Sequence, residues 1–71
     1  MAAATYSKAN WQVEADAQQL PNGKYQGIVL VSNKNKDPSK KELHTVADLS
    51  DTIDGAFEEA KLLAHHLLGN L

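Results

Sequence analysis

Ile53, Ala56, Phe57, Ala60, Leu63, Ala64 and Leu67 recur at spacings of three and four in the last third of the chain. On an α-helix that spacing stacks the side chains into one apolar stripe. An isolated helix of this length is marginal in water, so the stripe requires a surface to bury against. The preceding residues must therefore build a flat apolar face. A helix of about 17 residues spans ~26 Å at 1.5 Å per residue. A strand of about eight residues spans ~27 Å at ~3.4 Å each. The helix is thus long enough to lie along the strands of a sheet.

The helix limits are marked. Ser50, Asp51 and Thr52 can each cap its first N–H groups. Asp51, Asp54, Glu58 and Glu59 lie near the positive end of its dipole, and His65 and His66 near the negative end. Gly69 stands where a C-terminal cap is expected, just past the end. Phe57 is expected in the core, together with Trp11, Tyr25, Val29, Val31, Ile53, Leu63 and Leu67. Truncating a buried Phe to Ala costs about 3–5 kcal/mol.

Upstream, residues 1–9 show no periodicity and read as a frayed tail, leaving 10–71 as one domain. From Trp11 to Gln18 apolar and polar residues alternate strictly, the pattern of a strand with one buried face. Leu20-Pro21-Asn22-Gly23 is a tight-turn sequence. Lys24–Ser32, rich in β-branched and aromatic residues, is the second strand. The polar stretch from Asn33 to Lys40, interrupted by Pro38, is a loop, and Lys41–Leu49 forms a third strand. The predicted fold class is α+β: a three-stranded antiparallel sheet with one C-terminal amphipathic helix on one face, β-β-β-α.

If the hairpin pairs Leu20 with Lys24, then Val13 faces Val31, Ala15 faces Val29 and Ala17 faces Gly27. Paired residues share a face. The helix side then holds Trp11, Val13, Ala15, Ala17, Tyr25, Val29 and Val31, joined by Leu43, Thr45, Ala47 and Leu49 if the third strand keeps parity. The other side holds Ile28, Leu30 and Val46, with His44 nearby, and no remaining sequence covers them. These four residues are the candidate protein contact, and the uncovered patch suggests self-association as a homodimer.

Other chemistry has little support in the residues. No cysteine is present, so disulfides and thiolate metal sites are excluded. His65 and His66 are adjacent and diverge by about 100° on a helix, unlike the i, i+4 pairs that chelate metals. The acidic residues at the helix start lack a cleft of the kind general acid–base catalysis uses. Gly23, Gly27, Gly55 and Gly69 form no phosphate-binding loop, and no serine sits in a nucleophile elbow. No catalytic residue, cofactor or metal is expected. Lys34, Lys36, Lys40 and Lys41 cluster in the polar loop and form the candidate phosphate contact. Against it stand the net charge of −2 and the absence of arginine for reading bases. No apolar run approaches the ~20 residues that cross a bilayer, and the N-terminus lacks the form of a signal peptide. The cytoplasm is the expected location, without a membrane partner.

Asp51-Thr52-Ile53-Asp54-Gly55-Ala56-Phe57-Glu58-Glu59-Ala60-Lys61 is similar to the helix of HicB-type antitoxin domains, where strands lead into a Thr-x-x-Glu-Ala-x-x-x-Ala-like segment. The resemblance runs from Tyr25 to Leu68, with Val46-Ala47-Asp48-Leu49-Ser50 in place of the family's Pro-Asp-Leu-Pro-Gly stretch. It implies an antitoxin-like protein. Trp11, Leu20-Pro21-Asn22-Gly23-Lys24-Tyr25 and the final helix together resemble a group of short uncharacterised bacterial proteins. That resemblance covers most of 10–69 and implies a β-β-β-α fold without an activity. The expected function is a small non-enzymatic interaction module, with weak nucleic-acid binding or an antitoxin-like role as the alternative.

Overall fold

In the computed structural model, which describes residues 3–35 and 41–71, the chain is an antiparallel sheet covered on one face by a C-terminal helix. The sheet has four strands in sequential order: β1 (Ala4–Lys8), β2 (Trp11–Gln19), β3 (Tyr25–Asn33) and β4 (Glu42–Thr45). The helix, α1, spans Ile53–Gly69. Four strands replace the predicted three, because Ala4–Lys8, expected in a tail, pairs with β2 from Ala4 opposite Ala15 to Lys8 opposite Trp11. The two-residue turn between them, Ala9-Asn10, places Ala9 at a φ of 53°.

The β2–β3 hairpin has the predicted register: Val13 opposite Val31, Ala15 opposite Val29, Ala17 opposite Gly27. Its turn fixes that register. Gly23 N–H donates to the Leu20 carbonyl (3.0 Å) and Leu20 N–H to the Lys24 carbonyl (2.7 Å). Asn22 Oδ1 accepts from Lys24 N–H (2.9 Å), and Gly23 takes a φ of 83° that a side chain would strain.

The core is built of small residues. Val13, Ala15, Val29, Ala60 and Ala64 are fully buried, with Ala17, Val31 and Ala56 nearly so. Ala56, Ala60 and Ala64 form one straight i, i+4 row down the middle of the helix stripe. The larger residues expected at the centre, Trp11, Tyr25, Ile53, Phe57, Leu63 and Leu67, are only half-buried. Trp11, Phe57, Leu63 and Leu67 border the core with Ala4, Tyr6 and Leu68. Bulky side chains under the helix axis would hold it off the sheet; alanines let it settle closely, and the large groups close the sides.

The helix begins at Thr52, whose Oγ1 accepts the Gly55 N–H (3.1 Å). It ends one residue later than expected. Gly69 is its last residue and Asn70 the cap, with Asn70 N–H donating to the Leu67 carbonyl (3.1 Å) and Nδ2 to the His66 carbonyl (3.0 Å). β1 borders this end of the helix. The Tyr6 and His65 rings lie 4.4 Å apart between centroids, and Lys8 Nζ donates to the Leu68 carbonyl (3.4 Å).

The last strand differs most from expectation. β4 is four residues long and places Leu43 opposite Leu30, His44 opposite Val29 and Thr45 opposite Ile28. The parity is therefore reversed. Leu43 and Thr45 point away from the helix, and His44 and Val46 lie on its side. A register shift of one residue moves every side chain across a sheet in this way. The reversal has a packing reason. Val46, bonded through its N–H to the Gly27 carbonyl (2.9 Å), occupies space beside the side-chain-less Gly27. The chain then loops out over Ala47–Leu49 and returns to β3 at Ser50, which exchanges two backbone hydrogen bonds with Tyr25 (2.8 and 2.9 Å).

Candidate functional site

The sheet face turned away from α1 carries the remaining apolar side chains. Cross-strand register arranges it in rows. Ser7, Gln12 and Ser32 form one row. Thr5, Glu14, Leu30 and Leu43 form the next, and Asp16, Ile28 and Thr45 the third. Ile28 and Leu30 are half-buried by neighbours in the sheet, whereas Leu43 is 58% exposed. The four candidate contact residues are thus divided. Ile28 and Leu30 belong to this open face; His44 and Val46 lie on the opposite one. Leu43 completes the patch instead. Its parity depends on how the chain crosses between Asn33 and Glu42, and no local sequence pattern specifies that.

Around the apolar trio the polar groups are unevenly distributed. Glu14 and Asp16 stand on the β2 side. Asp16 Oδ1 accepts its neighbour Ala17's N–H (2.8 Å), while Glu14 has no ion pair among the described residues. Gln18 and Gln26 hydrogen-bond each other (3.2 Å), and Gln26 Nε2 also donates to the Val46 carbonyl (3.2 Å). At the other end, Gln12, Glu14, Leu30, Ser32, Lys34 and Lys41 line a shallow open depression of about 150 Å³. Of the candidate phosphate contacts, Lys34 and Lys41 are therefore brought together here, beside a carboxylate; Lys36 and Lys40 lie outside the described residues.

Two of the acidic residues at the helix start, Asp51 and Glu58, are engaged elsewhere. Asp51 pairs with Lys24, joining the hairpin turn to the segment before α1. The hydrogen bond and charge of Lys24 hold the Asp51 carboxyl below its ordinary value. Glu58 pairs with Lys61 (2.7 Å), which raises the lysine's pKa, and the Lys61 ammonium stands 5.0 Å from the Phe57 ring centroid. Among the described residues, no group of three or more His, Cys, Asp or Glu is placed to hold a metal ion. No helix there is long and apolar enough to cross a membrane. Comparison with protein-family models, with curated proteins and with solved structures found no match.

Proposed function

We propose that the chain is a non-enzymatic interaction module that associates with a second copy of itself through the open sheet face. The observation that carries this reading is the alignment of Ile28, Leu30 and Leu43 on the face α1 does not cover. Area sets the expected strength. Strands about 4.8 Å apart with roughly 20 Å of usable length give a four-stranded face of roughly 400 Å². Two such faces bury about 800 Å² together, below the ~1,200 Å² of stable complexes and in the range of weak, reversible association. A phosphate-binding role for Lys34 and Lys41 has less support, because Glu14 lines the same depression.

Sedimentation equilibrium of the full chain from 10 µM to 1 mM tests the proposal. The expected result is a reversible monomer–dimer equilibrium that Leu43→Glu abolishes while the circular dichroism spectrum is unchanged. A mass that stays monomeric across the range overturns it.

A further inference from the structure

Granted that the open face receives a second copy, its charge pattern selects how the two copies meet. We infer that the dimer axis runs parallel to the strands over β3, laying β2 of each copy across β4 of the other and bringing Glu14 within reach of Lys41 of the partner subunit.

Beside the outer β1 column of Thr5 and Ser7, the face has three columns that an axis over β3 superposes. β3 supplies the apolar middle, Ile28 and Leu30. β2 flanks it with Glu14 and Asp16, and the opposite flank carries Leu43 with Lys41 at its end. Within one copy Glu14 and Lys41 line the same depression from opposite sides of Leu30 without forming an ion pair with each other. Two sheets packed face to face with aligned strands have only a few symmetric solutions. An axis parallel to the strands over β3 exchanges the flanks. The apolar columns then meet, and the acidic column of each copy lies on the column bearing Leu43 and Lys41 of the partner subunit. The lysine stem covers apolar surface while its ammonium extends to the carboxylate. An axis perpendicular to the strands instead lays β2 on β2, so that Glu14 faces Asp16 of the partner subunit. Such like-charge contact is disfavoured. The arrangement produces four layers, helix–sheet–sheet–helix, with two symmetric opposite-charge pairs flanking the apolar centre.

The absence of cysteine makes the arrangement directly measurable. Facing sheets stand about 10 Å apart, too far for a direct disulfide, so a short bifunctional thiol cross-linker is the appropriate probe. Full-length Gln12→Cys, Gln18→Cys and Lys41→Cys variants are mixed pairwise at a concentration where the parent is dimeric, after circular dichroism confirms each fold. The expected result is that Gln12→Cys joins Lys41→Cys and not Gln18→Cys, with the yield falling between 50 mM and 500 mM NaCl as the one charge pair this heterodimer retains is screened. A dimer in which Gln12→Cys joins Gln18→Cys, or in which neither mixture cross-links, overturns the arrangement and leaves self-association standing. A parent chain that sediments as a monomer throughout overturns both.

Discussion

Gly27 of β3 lies against the backbone carbonyl of Ala56 in α1: a Cβ at position 27 would stand 2.6 Å from that oxygen. It would also stand 2.9 Å from Val46 Cγ2 and 3.1 Å from Ala60 Cβ. Val46 is β-branched and stiff at χ1, and the helix backbone cannot rotate aside at all. Gly27→Ala must therefore push α1 outward and loosen its contact with the sheet. The expected loss is about 1–3 kcal/mol, the usual scale of overpacking, read as a lower urea midpoint. Gly69→Ala is the control. No atom lies within 4 Å of its added Cβ, and the residue is helical, so stability should hold or rise slightly. Equal losses at both positions would refute the close approach at Gly27.

The same close approach lowers what Phe57 contributes. Full burial would make its truncation cost about 3–5 kcal/mol. Phe57 instead sits at the side of the helix, half-buried, with the Lys61 ammonium over its ring. Phe57→Ala is expected to cost about 2 kcal/mol, because part of the ring is already in water. Ala60→Leu, a substitution that enlarges a fully buried position, should cost at least as much. Denaturant melts of the two variants decide whether small or large residues form the centre of the core.

Ala9 holds a left-handed φ of 53° in the β1–β2 turn, a conformation that disfavours a side chain by about 1–2 kcal/mol. Ala9→Gly removes that cost and adds some backbone entropy loss, for a net gain of about 0.5–1 kcal/mol. Ala9→Val should act in the opposite direction, since β-branching is least tolerated at positive φ. Thermal melts give both signs. A Gly variant less stable than the parent would place this turn in another conformation.

These effects follow what the sequence could and could not convey. The β2–β3 register was legible because Pro21, Asn22 and Gly23 leave one tight connection between two well-patterned strands. The helix was legible from its period. β1 was not, since Ala4 and Tyr6 are its only inward apolar residues and its turn lacks glycine. The centre of the core was misplaced because size-weighted reading favours Phe57 and Leu63 over Ala56, Ala60 and Ala64. Spacing alone cannot tell which line of a stripe lies nearest the sheet. On the open face Ile28 and Leu30 were legible from the hairpin. The exchange of His44 and Val46 for Leu43 was not, because it turns on one residue of register across a long connection.

The Lys24–Asp51 pair gives the fold an acid-sensitive contact between the hairpin turn and the helix start. The hydrogen bond and charge of Lys24 lower the Asp51 pKa in the folded chain below the ordinary aspartate value. The unfolded chain therefore binds the proton more tightly. The sign follows: the contribution is complete above the unfolded value and is lost as pH falls through the depressed folded value. Asp51→Asn removes the carboxylate and should lower stability at pH 7 by a small amount, since both side chains are largely in solvent. Below the folded pKa the parent has lost the same charge, so the difference between the two proteins should close. Urea midpoints of both proteins between pH 2 and pH 7 measure this directly. The parent's advantage should be constant from pH 7 to about pH 5 and shrink through the acid range. A difference that persists undiminished at pH 2 would assign the effect of Asp51 to something other than its charge.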